Sequence, residues 1–177
     1  MDFELYPMVI LRSRSFNVLQ APGEMFIKVL NQNLNLQRFR IPYACGNYSG
    51  ILSKLDRKFT DLEVRRAFTT FQLMTILEET QHSLVIVEHD PLLYEDAAEM
   101  VEYASHALSD AAKEAAMLLY SPWSDPFLEE LTKNADRTWC FDEVRGMHKG
   151  ISQGRTRRLR KVRLLWRRSY EVARNER

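Results

Sequence analysis

Three ionisable side chains in a row, Glu88, His89 and Asp90, stand at the end of the apolar run Leu84-Val85-Ile86-Val87 and directly before Pro91. Carboxylates and an imidazole can exchange protons with a substrate or hold a divalent cation, so Glu88 and Asp90 are the candidate catalytic and metal-binding pair. Neighbouring residues of an extended chain point to opposite sides, and at most two of the three converge unless the strand has already ended. A structural role competes with the chemical one: Asp90 caps a turn ahead of Pro91, and Glu88 pairs with an arginine.

A second group lies near the C-terminus. Arg155, Arg157, Arg158, Arg160, Lys161, Arg163, Arg167 and Arg168 are interleaved with Leu159, Val162, Leu165, Trp166 and Tyr170. Leu159, Val162, Trp166 and Tyr170 recur every three or four residues, which predicts an amphipathic basic helix. Its arginines suit phosphates, with Trp166 or Tyr170 stacking on a base, and its chemistry also suits an acidic protein surface or an anionic membrane. Packing on the parent domain, with the arginines left in water, is the alternative. Residues 145–177 hold twelve Lys/Arg against two Glu, a net of +10, and residues 1–144 hold 13 Lys/Arg against 22 Asp/Glu, a net of −9. Such opposed charges predict an anionic partner for the basic segment, or its docking on the acidic body.

The remaining reactive side chains read more simply. His82, His106 and His148 have no partner at metal-ligand spacing and are expected at the surface. Glu95 and Asp96, after Tyr94, suit the start of a helix through its dipole. Cys45 and Cys140 share no C-x-x-C spacing and are expected as packed, reduced thiols.

The 177 residues, 45% hydrophobic and 28% charged, have the balance of one globular domain. No apolar run approaches the roughly 20 residues that span a bilayer, and the start Met1-Asp2-Phe3-Glu4 is acidic, so a cytoplasmic protein is expected. Met8–Leu11, Ser15–Gln20, Leu84–Val87, Met117–Tyr120 and Thr138–Phe141 read as strands. Helices are expected from Met25, from a Thr60/Glu63 capping box through Leu77, from Ala97 to Ala115, and from an Asp125-Pro126 cap through Ala135. Residues 31–58 read as an irregular connection with a short helix near Ile51–Leu55. Alternating strands and helices predict an α/β fold, a mainly parallel sheet in three layers with helices on both faces. The expected division is a core domain over 1–145, then a basic hinge and C-terminal helix over 146–177.

From about Asp61 to Gly150 the chain resembles the later half of a P-loop NTPase core, most like the ATP-binding cassette and RecA-like groups. Leu84–Pro91 resembles a Walker B strand, Met117–Ser121 occupies the place of the next strand, and Ala135-Asp136-Arg137 with Thr138–Glu143 resembles the segment that follows in cassette ATPases. The resemblance implies ATP and Mg2+ as ligands. Against it, the chain has no G-x-x-x-x-G-K-[ST] loop, whose glycines and lysine hold the phosphates. Gln20-Ala21-Pro22-Gly23-Glu24-Met25 stands after the first long strand, Gly46-Asn47-Tyr48-Ser49-Gly50 lacks a following Lys-Ser, and Ser121 stands where a cassette ATPase has its switch histidine. The expectation is a non-catalytic accessory or regulatory binding module of P-loop-NTPase-like fold, without a cofactor, assembling as a homo- or hetero-oligomer or on nucleic acid. The rival expectation is a metal-dependent nucleotide or phosphate hydrolase using Glu88 and Asp90, with Ala21–Glu24 or Gly46–Gly50 as the phosphate loop.

Overall fold

A computed structural model of the chain describes residues 2–6, 9–56, 59, 61–143 and 161–166. The first elements are short strands β1 (Phe3–Tyr6) and β2 (Val9–Leu11), an antiparallel pair. The main sheet comprises β3 (Ser15–Gln20), β4 (Ile41–Cys45), β5 (Leu62–Arg66), β6 (Leu84–Glu88), β7 (Ala116–Ser121), β8 (Arg137–Glu143) and β9 (Lys161–Trp166). Its order is β5-β4-β6-β7-β3-β8-β9, and every neighbouring pair is parallel. Helices α1 (Gly23–Gln32), α2 (Thr70–Glu78), α3 (Met100–Ala111) and α4 (Pro126–Leu131) lie in the connections.

Right-handed crossovers dictate the layers. The chain moves from β3 to β4 in one direction across the sheet, which places α1 on one face. It then returns through β6 and β7 to β8, which places α2, α3 and α4 on the other. Side-chain alternation follows: Tyr43, Ile86, Leu118 and Tyr120 pack with α1 and the β1–β2 hairpin, while Ala44, Val85, Val87, Met117 and Leu119 pack with α2–α4. The central strands β4, β6 and β7 are buried on both faces, as a parallel sheet between helices requires. Asp136 fastens β8 beside β3, its Oδ2 accepting from the Phe16 N–H at 2.8 Å while its own N–H donates to the Phe16 carbonyl at 2.8 Å.

The α/β class, the parallel sheet and the helices on both faces agree with the sequence reading. Three local expectations do not. The Thr60/Glu63 helix is instead an edge strand, β5, whose Arg65 hydrogen-bonds Glu79 and Glu63. The helix begins nine residues later, where the Thr69 hydroxyl accepts from the Gln72 N–H at 3.2 Å and the Gln72 side chain accepts from the Phe68 N–H at 2.7 Å. The same Thr-x-x-Gln chemistry therefore operates at a different register. Within the stretch read as irregular, Ile41–Cys45 forms β4. Pro42 is tolerated because pairing to β6 begins only at Tyr43, so the missing N–H lies outside that ladder.

The third correction concerns the basic segment. Residues 161–166 form β9, parallel to β8 over the full register Thr138↔Lys161 to Glu143↔Trp166, where an amphipathic helix was expected. The outer edge of β8 presents unpaired backbone groups, and satisfying them outweighs the three-to-four-residue apolar spacing. Arg155, Arg157, Arg158, Arg160, Arg167 and Arg168, the hinge and His148 lie outside the described residues. No helix among the described residues is long and apolar enough to cross a membrane.

Candidate functional site

Because the strands are parallel, their carboxyl ends share one edge. Neighbours β3 and β7 send their connections to opposite faces, through α1 and α4, and this is where open α/β sheets leave a crevice for a ligand. A cleft of about 370 Å³ occupies the place, lined among others by Gly23, Tyr48, Glu88, Asp90, Tyr120 and Trp123. The strand end singled out in the sequence is thus brought to a cavity.

Alternation separates its three ionisable groups. Glu88 follows Leu84 and Ile86 on the α1 side, where its Oε2 accepts from the Tyr43 hydroxyl at 2.8 Å and from the Ser49 hydroxyl. The same Ser49 oxygen accepts the N–H of Leu52 at 3.1 Å, so the carboxylate latches the Gly46–Gly50 loop to the sheet. Its partners are hydroxyls, not the arginine expected. Burial raises the Glu88 pKa, the Ser49 and Tyr43 hydroxyls and the Gly50 N–H lower it, and Asp90 raises it; the net direction is up. Burial and the neighbouring Glu88 carboxylate push the Tyr43 hydroxyl the same way, which keeps it a neutral donor.

Asp90 takes the capping role: its Oδ1 accepts from the Leu92 N–H at 3.1 Å and opens the turn Pro91–Leu93. Its other oxygen faces Gly46, where an added Cβ would stand 1.8 Å away and 2.9 Å from the Asp90 Cβ. Gly46→Ala must therefore displace Asp90 or the loop. We expect a loss of about 1–3 kcal/mol, the usual range for overpacking, measurable by urea unfolding.

His89 points to the opposite face. Its imidazole is fully buried, with Nε2 2.7 Å from Asp125 Oδ2, and it stacks on the Tyr94 ring at 6.0 Å. Burial lowers the His89 pKa and the Asp125 carboxylate opposes that without reversing it, so the neutral ring donates through Nε2–H and its Nδ1 is left buried without a partner. Asp125 serves twice, since its Oδ1 accepts from the Leu128 N–H at 2.9 Å and caps α4. The cap was legible from Asp125-Pro126. The pairing with His89 was not, because 36 residues separate the two.

The β3–α1 connection is a turn of two residues, Ala21-Pro22. Ala21 N–H donates to the Ser121 carbonyl at 3.1 Å, and the Ala21 carbonyl accepts from the Tyr120 hydroxyl at 3.1 Å. Pro22 has no N–H. Phe26 stacks on the Tyr120 ring at 3.9 Å, which fills the space beneath the turn. Gly23 has no positive φ, and a Cβ there would meet nothing closer than 3.8 Å, so neither conformation nor close approach requires glycine. Ser121 acts structurally, donating to the Trp123 carbonyl at 2.7 Å.

Among the described residues no group of three or more His, Cys, Asp or Glu is arranged to hold a metal ion. Cys45 and Cys140 are buried, as expected of packed thiols, and the Cys140 thiol donates to Gln20 Oε1 at 3.5 Å. Tyr94 is buried, Glu95 and Asp96 are exposed, and exposed His106 lies 4.0 Å from Glu102 on α3. His82 is half-buried beside Glu63. Lys161, Arg163 and Trp166 belong to β9, four strands from β6. The residues that sequence reasoning missed are Tyr43 and Trp123, while Tyr48 and Ser49 entered it only within the rival phosphate loop Gly46–Gly50; Tyr43 and Ser49 reach Glu88 across 45 and 39 residues.

No protein-family model matches the chain. It is 35% identical over 126 residues to a curated protein of Archaeoglobus fulgidus described as an uncharacterized protein. The matched stretch covers 71% of this chain and 58% of that relative, so the chain spans little more than half the relative's length.

Proposed function

We propose that the chain is a non-catalytic, P-loop-NTPase-like accessory or regulatory binding module that receives its ligand at the strand-end cleft. The observation that carries this reading is the β3–α1 turn, which is only two residues long, contains a proline and is closed from below by the Tyr120 hydroxyl. A phosphate loop needs several consecutive N–H groups turned toward one point. Here the turn has Pro22, and Glu24 in the first turn of α1 sets a carboxylate against a triphosphate. The placement of β7 between β3 and the Glu88-bearing β6 supports the likeness in fold, and the bonds of Glu88 to Tyr43 and Ser49 support its conversion to a structural role.

The test is thermal melting with magnesium-ATP. A ligand at one hundred times its Kd stabilises by about 2.7 kcal/mol, which for a domain of this size is a rise of roughly 5–10 °C. We expect no shift at millimolar nucleotide. A saturable rise, lost on Glu88→Gln or Asp90→Asn, would replace the binding module with the metal-dependent hydrolase.

The arginine-rich segment is proposed as a second contact element, for nucleic acid or an acidic partner. If it grips phosphates, affinity for a DNA or RNA duplex falls steeply between about 50 and 200 mM salt, and falls again in the triple variant Arg157→Ala, Arg158→Ala, Arg160→Ala. Filter binding insensitive to both changes removes nucleic acid as the partner.

A further inference from the structure

Strand β5 ends the sheet order, with β4 as its one neighbour among the described strands. The Asp61 carbonyl accepts from the Ile41 N–H at 3.0 Å, and the Ala67 N–H donates to the Cys45 carbonyl at 2.8 Å. Alternate residues of a parallel ladder bond to the same neighbour. Glu63 and Arg65 therefore turn their backbone groups toward β4, and Leu62, Val64 and Arg66 turn theirs outward. Among the described residues no group pairs with those three outward N–H and C=O sets.

An edge that stays single is blunted by a bulge, a proline or charges thrown across it. The register of β5 with β4 is unbroken and the strand holds no proline. Its charged side chains fold back on their own chain: Arg65 to Glu79 and Glu63, Glu63 to Arg40, and the Arg66 guanidinium to the Asn47 carbonyl. Val64 is left 43% exposed between them, and Phe68 and Phe71, 60% and 64% exposed, follow the strand. Apolar surface beside unpaired ladder groups is a docking place for another strand.

The residues of the edge select which strand. Suppose a second β5 runs antiparallel, its outward residues opposite those of the first. Centring the pair on Glu63 sets two carboxylates face to face, and centring it on Arg65 or Arg66 sets two guanidinium groups face to face. A centre at Leu62 opposes Glu63 to Asp61. Only a centre at Val64 opposes each Glu63 to Arg65 of the second copy, and cross-strand pairs of opposite sign are the favourable ones. That register adds to the Arg65–Glu63 pair within each chain and needs neither side chain to be free. It also brings every outward residue into the ladder: Val64 exchanges bonds with its own symmetry mate, and Leu62 with Arg66 on either side. On the other face of the sheet the two Val64 side chains cover each other.

We propose that the chain forms a two-fold dimer by antiparallel pairing of β5 with β5 of a second copy, Val64 lying on the axis. The two seven-stranded sheets become one continuous sheet, and the strand-end clefts of the two copies open at opposite ends of it. This goes beyond the binding-module reading and does not depend on it.

The test is sedimentation equilibrium of the full-length chain, with a dimer expected at about 0.1 mM and below. Val64→Pro removes an N–H that β4 does not use, so the ladder within the chain is kept while pairing across the axis is lost. The dimer dissociation constant should rise at least about tenfold, the scale of two lost hydrogen bonds. Val64→Cys gives a second readout that does not rely on the proline variant folding. Residues opposed in this way stand about 5.5 Å apart between Cα atoms, within the span of a disulfide, so mild oxidation should link two copies through position 64. Arg66→Cys stands out of register with its own mate, beyond that span, and should link at least about tenfold less. A monomer at about 0.1 mM, a dimer undiminished in folded Val64→Pro, or Arg66→Cys linking as readily as Val64→Cys would overturn the proposal.

Discussion

Asp125→Ala should unfold at markedly lower denaturant than the native chain. Two losses coincide at one carboxylate. The first turn of α4 loses its cap, worth about 1 kcal/mol, and the His89 imidazole loses its one hydrogen bond while still fully buried, worth about 1–3 kcal/mol. The sum of about 2–4 kcal/mol corresponds to a fall in melting temperature of roughly 5–15 °C for a domain of this size. Asp125→Asn keeps an oxygen for the Leu128 N–H and should lose less. The pair also fixes a direction with pH. The folded-state pKa of His89 lies below the unfolded value of about 6.5, so its stabilisation is complete above that pH and is lost as pH falls through the folded pKa. Melting temperatures measured from pH 7.5 to 5 should therefore decline in the native chain, and decline less in His89→Gln. An equal decline in both would remove His89 as the cause.

Glu88→Ala is expected to have an effect of similar size for a different reason. Tyr43 is buried, and its hydroxyl would be left without an acceptor, while Ser49 would release the loop that it fastens to the sheet. An unpartnered buried donor together with a loosened loop amounts to about 2–4 kcal/mol. Glu88→Gln offers an amide oxygen to the same hydroxyls and should recover most of that. The two substitutions distinguish a latch from a catalytic carboxylate, because a catalytic group would give a stable, inactive Gln variant, and a latch gives a graded loss of stability without a change in nucleotide response. For Glu88 the linkage has the opposite sign to that of His89. Its raised pKa means that the protonated form is favoured by folding, so its contribution is complete below the unfolded carboxylate pKa of about 4.3 and is lost as pH rises through the folded value.

What the sequence revealed follows from which forces are local. Apolar runs such as Leu84–Val87 and Met117–Tyr120 can only be buried on both sides, and the Asp125-Pro126 cap is a contact over three residues; both were legible. β4 was hidden by Pro42, which argues against a strand until its ladder partners are known. The α2 cap was misplaced because Thr60-x-x-Glu63 and Thr69-x-x-Gln72 carry the same local signal, and pairing to β4 decides that the first belongs beside a strand. β9 exists through the edge of β8, a partner that periodicity does not describe. At the site, the alternation of Glu88, His89 and Asp90 was readable from strand geometry. Their partners Tyr43, Ser49 and Asp125 were not, since they arrive from the middle of β4, the loop after it and the connection after β7.

The most direct measurement is an amide proton–nitrogen correlation spectrum of the chain titrated with magnesium and a non-hydrolysable ATP analogue. A phosphate cradle holds its ligand through backbone N–H groups, and their resonances move when it fills. With the β3–α1 turn reduced to Ala21-Pro22 and closed by Tyr120, the amides of Gly23, Glu24 and Met25 should stay in place at millimolar analogue. Saturable displacement of those three amides, accompanied by those of Gly46 to Gly50, would show a working nucleotide site and contradict the account.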